Sequence, residues 1–105
     1  MAIADPAVVE DVQAMRTGDE WRFDVTLSHA DTGWDDYADG WRVVGSDGAV
    51  LGFRELLHPH VNEQPFTRSL AGVAIPADMN IVYIETRTNA DGWHDARFPL
   101  SLERN

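Results

Sequence analysis

Two histidines separated by one proline form the first candidate site of this sequence. Proline favours an extended conformation for the residue before it, and side chains two apart on an extended chain point the same way. His58 and His60 therefore present two imidazoles on one side of the chain, with the carboxylate of Glu63 close behind. This is a ligand set for Zn²⁺ or Cu²⁺. The alternative is a rigid loop whose rings bond to backbone groups.

An acidic loop that ends at Gly40 is a second candidate site. Asp31, Asp35, Asp36 and Asp39 lie close together there. Clustered carboxylate oxygens are the ligands that Ca²⁺ prefers, so this loop is a candidate Ca²⁺ site, although its spacing does not fit an EF-hand. The alternative is a solvated loop whose aspartates bond to nearby backbone N–H groups.

Aromatic side chains in the same loop suggest a binding surface. An exposed tryptophan or tyrosine beside carboxylates can stack on a sugar ring and bond its hydroxyls, so Trp34, Asp35, Asp36, Tyr37 and Asp39 are candidate ligand-binding residues. The other tryptophans are predicted to fill the core: Trp21, Trp41 and Trp93.

Arg68 is a cationic side chain in a strongly negative sequence. Because arginine forms bidentate pairs with carboxylates, we predict an ion pair between Arg68 and Glu63, or one of the loop aspartates, that ties the two loops together. Arg68 is also a candidate ligand-binding residue.

The sequence contains no recognised catalytic motif. It lacks Gly-x-Ser-x-Gly, a P-loop, a dinucleotide-binding fingerprint and His-Glu-x-x-His. Ser28 precedes His29, but neighbouring residues of a strand point to opposite faces, so they do not form a catalytic pair. We therefore predict that the protein is not an enzyme.

Composition narrows the classes of partner. The net charge is −10, from 18 acidic and 8 basic residues, which disfavours binding to nucleic acid or to an anionic membrane surface. No apolar stretch is long enough for a membrane span. Without cysteine, neither an oxidising nor a reducing compartment is excluded, and periplasmic, secreted and cytoplasmic locations all stay open.

We predict that β-strands hold these residues in place, because apolar residues recur along the chain with a period of two. Trp21, Phe23, Val25 and Leu27 alternate with polar residues, as in a half-buried antiparallel strand. We predict one all-β domain over residues 1–105, with a disordered tail over 1–6, folded as an immunoglobulin-like antiparallel β-sandwich of about seven strands. The predicted strands are 8–16, 21–29, 41–45, 49–57, 66–75, 81–88 and 93–102.

The segments 31–44 and 51–70, with the patterns GWDDYADGW and HPHVNEQPFTRSL, resemble a group of small uncharacterised bacterial proteins. The resemblance extends from about Trp21 to Trp93 and implies no activity. Residues 73–93 are also similar to the last strands of fibronectin type III and related immunoglobulin-like domains, which implies a fold and not a function.

Loops at the ends of a sandwich usually carry its function. We therefore predict a binding or interaction domain that uses residues 31–40, the first end loop, and residues 58–65, the second end loop. A Zn²⁺ or Cu²⁺ site at the histidine pair and a glycan-binding surface at Trp34 are the alternatives. The partner is accordingly a protein, a glycan or a metal ion.

Overall fold

The computed structural model describes residues 6–102, and these form eight β-strands and no helix. In this part of the chain no helix is long and apolar enough to cross a membrane. The prediction of a disordered tail over 1–6 falls mainly on residues 1–5, which lie outside the described residues. The strands are β1 Val8–Thr17, β2 Glu20–Ser28, β3 Ala38–Gly45, β4 Val50–Glu55, β5 Phe66–Ala74, β6 Ile81–Thr88, β7 Gly92–Trp93 and β8 Phe98–Ser101.

The strands form two antiparallel sheets that pack as a sandwich, as predicted. One sheet has the order β1-β2-β5. The other has the order β4-β3-β6, and both β7 and β8 pair with the far edge of β6.

Strand β2 shows how the sequence pattern produces the core. Trp21, Phe23, Val25 and Leu27 are all buried, and the residues between them face outward. They pack in one cluster with buried residues of the opposite sheet, such as Trp41 of β3. Burial of a large apolar side chain contributes roughly 1.5–3 kcal/mol, so this face is a main source of stability.

The hairpin predicted at Asp47 and Gly48 is confirmed. Gly45 and Ala49 close the turn with a hydrogen bond of 2.9 Å, and the Asp47 carboxylate accepts a bond from the Ala49 amide. Gly48 has a φ of +87°, a conformation that residues with a Cβ rarely adopt. The hairpin joins β3 to β4 at one end of the sandwich, so both strands have their other termini at the opposite end.

The predicted strand over 93–102 is wrong as one element, because the chain leaves the sheet between β7 and β8. Both pieces pair with β6, β7 opposite Arg87 and Thr88 and β8 opposite residues 81–84. Pro99 lies in β8, which pairs with β6 only, so this strand is an edge strand, as predicted.

The core position predicted for Trp93 is also wrong. Trp93 is half-buried and lies outside the core cluster, with the guanidinium of Arg42 3.8 Å from its ring centroid and the ring of Phe53 5.8 Å away. Trp93 pairs with Arg87 of β6, which is only partly buried, whereas Trp21 and Trp41 are buried as predicted.

Candidate functional site

The two end loops lie at the same end of the sandwich. The first connects β2 to β3, and the second connects β4 to β5, with the start of β5 paired to the end of β2 through Leu27 and Phe66. The antiparallel topology therefore brings together two segments that are distant in the sequence.

The carboxylate of Asp31 joins the two end loops. Its side chain is fully buried, and its Oδ2 accepts a hydrogen bond of 2.8 Å from the backbone N–H of His60 in the second loop. Its Oδ1 accepts a bond of 3.1 Å from the Ala38 amide and lies 2.6 Å from Nδ1 of His29. Because a carboxylate only accepts, the His29 ring is the donor in that contact. Asp31 thus satisfies three buried donors.

Gln64 forms a second link between the same segments. Its side-chain oxygen accepts a bond of 2.9 Å from the His29 amide, and its side-chain nitrogen donates to the His60 carbonyl, also at 2.9 Å. The loops are therefore connected by backbone-directed hydrogen bonds rather than by an ion pair.

The predicted ion pair between Arg68 and Glu63 is present, with 3.5 Å between Nη2 and Oε1. It does not tie the two end loops together, because Glu63 belongs to the second loop and its side chain is largely exposed. Asp31 makes that connection instead.

His60 is buried and stacks on Phe66, with 3.9 Å between the ring centroids. Burial, the nearby guanidinium of Arg68 and the imidazole of His58 lower the pKa of His60, so its ring is neutral near pH 7. Nε2 accepts a bond of 2.7 Å from Nη2 of Arg68, which places the proton on Nδ1. Nδ1 has no hydrogen-bond partner within residues 6–102.

The two histidines of the predicted metal site are neighbours, with 4.6 Å between their ring centroids. However, Nε2 of His60 is occupied by Arg68, and Glu63 also faces that guanidinium. Among the described residues no group of three or more His, Asp or Glu could hold a metal ion. The Zn²⁺ or Cu²⁺ site stays a prediction, which amide NMR during metal addition to chelator-treated protein would test.

The aspartates of the first end loop have separate contacts. Asp31 is buried, Asp39 pairs with Arg87 at 2.8 Å, and Asp36 lies 3.9 Å from Nε2 of His29. Asp35 is exposed. The Ca²⁺ site at this loop also stays a prediction.

Trp34 is 67% exposed, and its ring packs edge-on against Tyr37 at 5.6 Å. Asn89, in the turn after β6, holds this part of the loop: it donates to the Trp34 carbonyl at 2.7 Å and accepts from the Tyr37 amide at 2.8 Å. The roles of Asn89 and Gln64 could not be predicted from the sequence, because the amides that they bind are 52 and 35 residues away.

The serines near the histidines have other partners. The Ser28 hydroxyl donates to Glu10, and the Ser69 hydroxyl donates to Asp24. The bond to Ser69 and the guanidinium of Arg22 lower the pKa of Asp24. Both serine hydroxyls therefore contact acidic side chains on the outer face of the three-stranded sheet.

Comparison with known proteins shows similarity to a protein of the genus Halomicrobium. The chain is 42% identical over 71 residues to a protein of Halomicrobium mukohataei named "Putative lipoprotein". The match covers 68% of this chain and 34% of that protein, so the chain spans about a third of the length of the relative. No family model and no solved structure matches. The likenesses to small bacterial proteins and to immunoglobulin-like domains stay predictions.

Proposed function

We propose that this protein is a non-enzymatic binding domain that recognises its partner through the two end loops. The observation that carries the proposal is the buried carboxylate of Asp31, which fixes both loops at one end of the sandwich. Loops that are ordered before binding lose little conformational entropy when a partner arrives. Rigid scaffolds commonly present binding loops in this way.

Exposed apolar side chains on and beside these loops support a macromolecular partner. Trp34 is 67% exposed, Leu57 68% and Val61 51%. Tryptophan is enriched among the residues that dominate binding energy at protein interfaces. The proposed partner therefore has an apolar surface that these side chains can contact.

A capture experiment tests the proposal. Immobilised protein is exposed to an extract of the source cells, and bound molecules are compared with those bound by a Trp34→Ala, Leu57→Ser variant. The control is Val50→Ser, which removes an apolar side chain of 52% exposure next to the hairpin at the other end. The proposal requires a partner that binds the wild type and the control but not the loop variant. Equal capture by all three proteins would refute it.

A glycan is the second candidate partner, favoured by the exposure of Trp34 and its contact with Tyr37. Aromatic faces of this kind bind the apolar side of a sugar ring. Titration with oligosaccharides should change tryptophan fluorescence in the wild type and in Trp93→Phe but not in Trp34→Ala. A change that persists in Trp34→Ala would place the sugar elsewhere.

The similarity to a protein named as a lipoprotein supports a further part of the proposal. We infer that the domain works in a lipid-anchored protein. Fractionation of source cells, with detection by antibody, should recover the protein with membranes until detergent is added. Recovery in the soluble fraction would contradict this placement.

A further inference from the structure

A small cavity of about 70 Å³ lies beside the second end loop, where β4 and β5 form adjacent edges of the two sheets. Its lining combines two leucines with four basic or imidazole side chains: Leu56, Leu57, Arg54, His58, His60 and Arg68. Two of the eight arginines and two of the four histidines of a chain with net charge −10 thus converge on one cavity.

The guanidinium of Arg54 is fixed in place without being neutralised. Its Nε donates to the Ser69 carbonyl at 2.9 Å, and its Nη1 donates to the Glu55 carbonyl at 2.5 Å. Both acceptors are uncharged backbone groups. Over residues 6–102, no carboxylate lies within ion-pair distance of Arg54.

Arg68 is also directed by neutral acceptors. Its Nη1 donates to the Thr67 carbonyl at 2.7 Å, and its Nη2 donates to Nε2 of His60. Its ion pair with Glu63 is long, at 3.5 Å, and the Glu63 side chain is 64% exposed. Water screens such an exposed pair, so most of the positive charge of Arg68 remains available to a ligand.

His60 supplies the observation that points to a missing acceptor. The residue is only 5% exposed, and its Nδ1, which carries the proton, has no partner among the described residues. A buried donor of this kind normally bonds to a protein group, a water or a ligand. The ring also lines the cavity, together with Arg54 and Arg68. A group placed there must accept hydrogen bonds and is favoured if it is negative.

From this arrangement we infer that the cavity binds an oxyanion, either a phosphate or a carboxylate group. Guanidinium groups recognise both through charge-assisted hydrogen bonds. The cavity is more than twice the ~30 Å³ that a water molecule takes up in the liquid, which leaves room for such a group. The inference goes beyond the proposed function: the cavity shares Leu57 and the second end loop with the proposed binding surface, but a free anion would need its charged groups and not the exposed side chain of Trp34.

Amide NMR of the ¹⁵N-labelled full chain tests this site. Inorganic phosphate and acetate are added in separate titrations, with sodium chloride adjusted to keep the ionic strength constant. The site is supported if either anion causes saturable shifts centred on Arg54, His58, His60 and Arg68. The anion that binds with the higher affinity then shows whether the site prefers a phosphate or a carboxylate group. Shifts that do not saturate, or that spread evenly over the surface, would overturn it.

Two charge-matched variants locate the binding. Arg54→Gln should weaken the favoured anion by about tenfold or more, because it removes a charged donor. Arg16→Gln removes the same charge from an exposed position on β1 and should leave the affinity within about twofold. Equal weakening in both variants would overturn the site in favour of a general charge effect. The wild-type titration decides the question even if Arg54→Gln does not fold.

Discussion

Asp31→Ala removes the carboxylate that joins the two end loops. The substitution removes one buried acceptor from each of three donors, the ring of His29 and the amides of Ala38 and His60. Each unsatisfied buried donor costs roughly 1–3 kcal/mol, but water entering the space recovers part of this. We expect the free energy of unfolding to fall by about 3–5 kcal/mol, the lower part of the range that three such donors give together.

This loss is large beside the roughly 5–15 kcal/mol that stabilises a typical domain. Urea unfolding followed by tryptophan fluorescence measures it directly, and the melting temperature should fall by at least about 10 °C. Asp31→Asn keeps the shape of the side chain but replaces one acceptor oxygen with a donor NH₂ group. We therefore expect a smaller loss in the free energy of unfolding, about 1–3 kcal/mol.

Asp35→Ala is the matched control, because Asp35 is an exposed aspartate of the same loop. We expect it to change the free energy of unfolding by less than about 0.5 kcal/mol. In hydrogen exchange, the amides of Ala38 and His60 should lose protection in the Asp31 variants and keep it in the control. A loss below about 1 kcal/mol for Asp31→Ala, with both amides still protected, would refute the role assigned to this carboxylate.

Three other predictions concern pH, salt and the outer face of the five-stranded sheet. Because burial and Arg68 lower the pKa of His60, the unfolded chain binds the proton more tightly than the folded protein. The free energy of unfolding should therefore decrease as the pH falls below about 6.5, the ordinary histidine value, and urea titrations across that range measure this. The net charge of −10 makes the folded chain repel itself, so its melting temperature should rise between about 0.1 and 1 M sodium chloride as the Debye length shortens from about 10 to 3 Å. Glu85→Gln should cost about 1–3 kcal/mol in urea unfolding, since this largely buried carboxylate pairs with Arg42 at 2.8 Å and Arg97 at 2.7 Å.

Each of these predictions has its own control. His60→Gln should flatten the pH dependence near 6.5, whereas the contribution of Asp24, whose pKa is lowered, is lost only below about 4. An unchanged slope in His60→Gln would contradict the first prediction, and a melting temperature that falls with salt would contradict the second. Glu55→Gln alters an exposed residue and should be nearly neutral. The third prediction fails if Glu85→Gln costs no more than this control.

The alternation of apolar residues was enough to predict most strands, because a half-buried strand must repeat every two residues wherever it lies in the fold. This rule located β2 through Trp21, Phe23, Val25 and Leu27, and turn chemistry located the hairpin at Gly48. Both signals are local. They fail for the last predicted strand, where the chain leaves β6 between Trp93 and Phe98 while the alternation continues.

The fold class could therefore be predicted from the sequence, together with the aspartates, histidines and arginines that are available for a site. The roles of these residues depend on contacts that form when the chain folds. Asp31 and Asp35 are the same residue type, yet Asp31 is buried and bonded to the His60 amide, whereas Asp35 is exposed to solvent. Arg54 gave no signal in its strand, and it becomes a cavity residue because β4 and β5 lie side by side. Arg54 bonds to a carbonyl 15 residues away, and Asp31 bonds to an amide 29 residues away. The spacing of residues along the chain does not predict such contacts.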